Sequence, residues 1–135
     1  MSTEENKALI CRIYELLNRG ELAAYYKLLA PGYIEHLTDH DMSLEQLKQF
    51  EATFFVAFHD VSITIDNMVA EGDKVAVLVT WRGTHKEEFM GIAPSGKKIE
   101  MTNANIFRIS TGRCVESWNV TDIRLAQQLG VIPTQ

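Results

Sequence analysis

Cysteine, histidine and proline are scarce in this chain of 135 residues, and the shortages remove whole classes of function. The two cysteines, Cys11 and Cys114, lie far apart with no CxxC pair, so a zinc ribbon or a thioredoxin-type redox centre is not expected. Free thiols buried in a reducing compartment are the simpler reading, and Cys114 lacks the cationic surroundings, apart from adjacent Arg113, that mark a nucleophile. The four histidines share no metal-ligand spacing. His36 and His40 are four apart, but Pro31-Gly32 before them and the Thr38-Asp39-His40-Asp41 loop speak against a helix, so no metal is expected. GxSxG, the P-loop and a GxGxxG opening a helix are all missing. Positive charge is also short: 13 Lys and Arg against 18 Asp and Glu leave a net charge of −5, which argues against nucleic acid or an anionic membrane as partner. No apolar run approaches the ~20 residues that span a bilayer. The opening Met-Ser-Thr-Glu-Glu-Asn-Lys is polar and acidic, so a cytoplasmic protein is expected.

What remains is ordinary globular material: 46% hydrophobic and 23% charged residues, read as one domain over residues 1–135. Residues 3–19 carry Leu9, Ile10, Ile13, Leu16 and Leu17 at helical spacing, with Ser2 and Glu5 as a capping box and Gly20 as the stop. Residues 21–29 form a second short helix ended by Pro31-Gly32. Ser43 and Gln46 open a third, whose apolar side includes Leu44, Leu47, Phe50, Phe54 and Phe58. After Phe58 the period changes to two. Strands begin at Val61, Val75, Ile99 and Cys114, separated by short turns, and a last helix ends at Gly130. Helices followed by hairpin-linked strands define an α+β fold with a curved antiparallel sheet, whose mouth is a natural ligand site.

The stretch Cys114–Asp122 carries the most chemical interest. In a regular strand Cys114, Glu116, Trp118, Val120 and Asp122 share one face, and Val115, Ser117, Asn119 and Thr121 the other. Asp122 has two readings. It caps the helix that follows, or it is a carboxylate in a poorly solvated pocket whose raised pKa suits it to proton transfer. Asn103 and Asn105 interrupt an apolar strand face, and buried amides need partners from protein, water or ligand.

Four segments together resemble the SnoaL-like polyketide cyclases of the nuclear-transport-factor-2-like superfamily. They are ENKALICRIYELLNRGEL, APGYIEH, the block GDKVAVLVTWRGTHKEEFMGIAPSGKKIEM, and GRCVESWNVTDIRLAQQLG, which span roughly residues 5–130. The resemblance implies a cone-like α+β barrel around a hydrophobic pocket, a homodimer formed through the outer sheet surface, and cofactor-free intramolecular aldol closure. It implies Asp122 as general base and acid. His85, His36, Asn103 and Asn105 would then hydrogen-bond substrate oxygens. Tyr14, Phe54, Phe58, Trp81, Phe89, Met90 and Trp118 would form the apolar wall, and Val115, Ser117, Asn119 and Thr121 the outer face that meets a second copy. Two functional classes stay open at this stage: a cofactor-independent enzyme acting on a hydrophobic carbonyl compound, and a noncatalytic protein that binds a hydrophobic small molecule or mediates assembly.

Overall fold

A computed structural model describes residues 2–121. Helix α1 (Thr3–Asn18) starts at the expected capping box, with reciprocal Ser2–Glu5 hydrogen bonds of 3.1 Å each. It buries Ile10, Ile13, Tyr14, Leu16 and Leu17 and ends at Gly20, which takes the left-handed φ of +71°. Helix α2 (Leu22–Tyr26) is shorter than its sequence suggests. The chain turns extended at Leu29, ahead of Pro31, because Leu29 is buried as the first residue of strand β1 (Leu29–His36) and pairs with Cys114. Strand β2 (Asp41–Ser43) leads into helix α3 (Leu44–Ala57), again through a capping box, here between Ser43 and Gln46. Four long strands follow: β3 (Ser62–Glu71), β4 (Lys74–Thr84), β5 (Lys98–Ser110) and β6 (Arg113–Thr121).

The strands form one six-stranded sheet in the order β2-β1-β6-β5-β4-β3. Its pairings are antiparallel except β1 with β6, which is parallel. That exception follows from the chain path: β1 comes early and β6 returns beside it only after β2, α3 and three further strands, a crossover that a parallel pair requires. Helix α1 covers the inner face over β3 and β4, where Val75, Val77 and Val79 are at most 3% exposed. A second apolar cluster of Phe54, Phe58, Phe89, Ile99 and Met101 sits between α3 and the far end of β4 and β5.

One irregularity decides which side chains face inward. Arg108 pairs with Glu116 but the next residue, Ile109, pairs with Cys114, so Val115 is an extra residue in β6. Such a bulge resets the alternation of the strand. Cys114, Ser117 and Asn119 lie inside, while Glu116, Trp118 and Val120 lie outside. The expected faces of this strand are therefore exchanged beyond the bulge. The outer face carries exposed apolar side chains among charged pairs such as Arg82–Glu100: Ile34, Val69, Leu78, Ile106, Trp118 and Val120 are each at least 37% exposed. Cys11 is exposed rather than buried, and both thiols are free. No helix among the described residues is long and apolar enough to cross a membrane.

Candidate active site

A cavity of about 330 Å³ opens between α3, the β1–β2 connection and the inner face of β4, β5 and β6. Its apolar wall comes from Leu47, Phe50, Phe54 and Phe55 of α3, and from Trp81 and Met101 of the sheet. Met90, from the loop between β4 and β5, stands at the rim. Its polar wall comes from Glu35, His40, Glu51, Asn103, Asn119 and Thr121.

Two carboxyls face this cavity from different elements. Glu35 lies two residues after Tyr33 on the inward side of β1, and the Tyr33 hydroxyl donates to its Oε1 at 2.8 Å. The Asn119 side chain supplies a second donor. Behind it the chain of hydrogen bonds continues: Thr121 Oγ1 donates to Asn119 Oδ1 (2.6 Å), and Asn103 Nδ2 donates to Thr121 Oγ1 (3.2 Å). Glu51 sits on the apolar stripe of α3, four residues after Leu47 and three before Phe54. Tyr25 donates to its Oε2 at 3.2 Å, while Oε1 is buried with no hydrogen-bond partner among the described residues. Burial raises both carboxyl pKa values. At Glu35 the two donors oppose the rise, whereas burial and the charge of Glu35 push Glu51 up to about 8 despite Tyr26 and Tyr25. At neutral pH Glu51 is thus mostly a neutral acid, while Glu35 has two donors, Tyr33 and Asn119, that favour its carboxylate form. Divergent environments of this kind separate an acid from a base.

Of the residues expected at the site, Phe54, Trp81, Met90 and Asn103 are on the cavity wall. Asn103 is 6% exposed and its Oδ1, like the Trp81 indole nitrogen, is buried without a partner among the described residues. Asn105 lies one layer deeper and donates to Ser117 Oγ at 3.0 Å. Phe58 and Phe89 are behind the wall, packed against Phe54. Tyr14 belongs to the core under α1, edge-on to Phe107 at 6.4 Å. Asp122 lies outside the described residues, as does the last expected helix.

Three expectations about facing are corrected. Trp118 is on the outer surface because of the Val115 bulge, where it stacks on His36 with ring centroids 5.3 Å apart. His36 points the same way: Nδ1 meets Asp41 at 2.9 Å and Nε2 meets Glu116 at 2.7 Å. Those carboxylates, Glu116 first, raise its pKa, and Arg108 holds Glu116 from the other side at 2.7 Å. Ser117, Asn119 and Thr121, expected on the outer face, belong to the inner hydrogen-bond network. His85 is fully buried and braces the loop between β4 and β5: the Ser95 backbone N–H donates to its Nδ1 at 3.3 Å, Ser95 Oγ is 3.0 Å from the same atom, and Phe58 stacks on the ring. Accepting at Nδ1 places the ring proton on Nε2, which has no partner among the described residues and is not part of the described cavity wall.

That loop ends in a tight two-residue turn. Phe89 and Ile92 exchange both backbone hydrogen bonds, at 3.0 and 2.9 Å, around Met90 and Gly91. Both central residues have positive φ, +50° and +79°, the pattern of a type I′ turn. Gly91 suits it. Met90 does not, since a side chain in the left-handed region costs ~1–2 kcal/mol.

The curved sheet and its helices around an acid-lined cavity define an α+β fold of the nuclear-transport-factor-2-like kind. Residues 8–129 match the family model described as SnoaL-like polyketide cyclase, and the chain belongs to that family. Among solved structures it is similar to AclR from Streptomyces galilaeus, a proposed hydroxylase, with 30% identity, a TM-score of 0.93, and coverage of 98% of this chain and 100% of that one. It is also similar to IdmH from Streptomyces antibioticus, a proposed polyketide cyclase, with 33% identity, a TM-score of 0.80, and coverage of 93% and 98%. A SnoaL-like protein from Jannaschia sp. shares the fold at 21% identity and a TM-score of 0.84. No curated protein matches the sequence.

Proposed function

We propose that the protein is a cofactor-independent acid/base enzyme acting on a neutral hydrophobic carbonyl compound in this cavity, by enolate chemistry that ends in cyclisation or isomerisation. The observation that carries the reading is the pair Glu35 and Glu51 on one apolar cavity wall, one hydrogen-bonded toward its ionised form and the other kept neutral. Ionised Glu35 takes a proton from the carbon α to a carbonyl. Neutral Glu51 donates a hydrogen bond to the carbonyl oxygen as charge develops there, or lends it a proton that returns to Glu51 when that carbonyl re-forms. In a cyclisation the α-carbon then bonds to a second carbonyl carbon, whose oxygen becomes an alkoxide and is protonated by the acid that Glu35 has become. The described wall carries no Lys or Arg beside the two carboxyls, and its one histidine, His40, is already met by Asp39 at 2.7 Å, so a neutral substrate is favoured.

Family membership implies Asp122 as the base, and the same experiment tests both assignments. Deuterium exchange at the α-carbon of 1-tetralone, followed by proton NMR, reports enolisation of a neutral aryl ketone. The wild-type protein is expected to accelerate it above buffer. If Glu35→Gln and Glu51→Gln exchange as fast as wild type while Asp122→Asn does not, the Glu pair is not the site. If no variant and no wild-type preparation exceeds buffer while 1-tetralone binds saturably, the noncatalytic binding class gains the ground.

We further propose that two copies pair across the outer sheet face. Ala76, Ile106, Trp118 and His36 lie in one cross-strand row on that face, beside the Leu78–Ala104–Val120 row, so the apolar surface is continuous. Sedimentation at micromolar concentration is expected to give twice the monomer mass for wild type and a monomer for Trp118→Glu; a wild-type monomer overturns the pairing.

A further inference from the structure

The cavity rim has an apolar residue that no packing inside the protein explains. Met90 is 73% exposed, yet it lines the cavity, and its backbone is in a conformation that methionine avoids. Asparagine, the usual first residue of a type I′ turn, would fit this backbone better. The turn itself is firmly seated. Phe89, the residue before Met90, is 2% exposed and meets Phe50, Phe54 and Phe58 edge-on, with centroids 6.0, 5.6 and 5.3 Å away. Phe50, which lines the same cavity from α3, is 37% exposed. A fixed hinge at Phe89, a strained tip at Met90 and the part-exposed Phe50 ring beside it together leave unspent apolar surface at the cavity rim. Backbone strain of this kind persists where the surroundings hold it in place, and it gathers at ligand clamps.

We propose that Met90 is the residue that covers the bound ligand and sets its residence time, its unbranched thioether packing across the mouth against the ligand and Phe50. Methionine suits this task because it is flexible, polarizable and tolerant of irregular apolar shapes. The inference rests on the cavity being a ligand site, as in the function proposed above, and it adds that selection at this position is for cover and not for the turn. The ligand class it favours is one with an apolar end left at the rim once its carbonyl is at the carboxyls.

The test separates cover from fold. The probe is 6-propionyl-2-dimethylaminonaphthalene, a neutral fluorescent aryl ketone, with its release rate measured by stopped-flow dilution and the melting temperature of each variant measured alongside. Met90→Asn is expected to raise Tm by about 3 °C, as relief of a left-handed methionine should in a chain of this size. It is expected to release the probe about tenfold faster. Met90→Gly, which also suits the backbone, should do the same. Met90→Leu keeps apolar cover and strain together and should match wild type in both readouts. If Met90→Asn or Met90→Gly raises Tm and still releases the probe at the wild-type rate, the covering role is overturned while the cavity reading stands. If wild-type protein does not bind the probe saturably, both are overturned. If Met90→Asn lowers Tm, the strain argument fails.

Discussion

Glu51→Gln is expected to reduce α-proton exchange of 1-tetralone by about 10²–10³-fold and, at pH 8, to make the protein more stable. The two effects have one origin. A carboxyl on the apolar stripe of α3, among Leu47, Phe50 and Phe54, is kept protonated by burial and by the charge of Glu35, with its pKa pushed up to about 8. General acids and bases contribute roughly 10²–10⁴-fold, so losing the donor costs within that range. The stability term follows from proton linkage. In the unfolded chain the carboxyl titrates near the reference 4.5, so between pH 4.5 and about 8 the folded protein holds a proton that the unfolded chain has released. Stability supplied by Glu51 is therefore complete below pH 4.5, declines as pH rises toward 8, and is gone above it. The decline is about 3 kcal/mol, somewhat less than ~1.4 kcal/mol per pKa unit gives for a dry site, because the carboxyl borders an open cavity. Glutamine keeps the shape and removes the titration. Urea unfolding at pH 5 and pH 8 should show the wild-type decline and its reduction in Glu51→Gln; the slope left over reports Glu35, which burial also raises, and His36, raised by Glu116 and Asp41. Equal pH slopes in wild type and Glu51→Gln would remove the neutral-acid role. The turnover profile carries a matching sign: activity that depends on protonated Glu51 falls as pH rises through 8.

Much of this architecture can be read from residue order, because it depends on local rules. The capping boxes at Ser2 and Ser43, the period-two runs of β4 and β5, and the inward Asn103 and Asn105 follow from short-range spacing, and all appear in the structure. What was not legible depends on pairing between distant strands. Nothing within Arg113–Thr121 marks Val115 as an extra residue; only its register against Arg108 and Ile109 does. Parity counted without the bulge puts Trp118 inside and Asn119 outside, the reverse of the structure. Glu51 had a signal that could have been used. An acid four residues after Leu47 and three before Phe54 occupies a buried helix position, and a lone carboxyl there calls for a partner or a proton. Glu35 alternates with Tyr33 in the same way, but its second donor, Asn119, arrives from a strand 84 residues later, a meeting that only the parallel β1–β6 pairing creates. The histidines illustrate the opposite case. His36 and His85 draw attention as chemistry-bearing types, but one is held outside by Asp41 and Glu116 and the other is spent on bracing Ser95.

Phe58→Ala is expected to destabilise the fold by ~3–5 kcal/mol, the largest single loss in this chain outside its main core. Phe58 is fully buried, stacks on Phe54 at 4.9 Å and on His85 at 5.4 Å, and meets Phe89 edge-on at 5.3 Å. These neighbours come from three directions: the helix, the loop that His85 braces, and the turn that presents Met90. A cavity at Phe58 cannot be closed by one of them moving, because each is tied to a different backbone segment, so the void persists and its cost adds to the lost apolar burial. Phe50→Ala makes the contrast. Its ring is 37% exposed and touches only Phe54 and the edge of Phe89 among the aromatic rings, so truncation should cost about 1 kcal/mol or less in urea unfolding. It should nonetheless speed probe release, since that ring lines the same cavity as Met90. Phe58→Ala should show both losses, because without Phe58 the Phe89 hinge is no longer fixed. If Phe58→Ala costs under ~1.5 kcal/mol, or weakens stability without altering probe release, the aromatic cluster is not what holds the cavity rim in position.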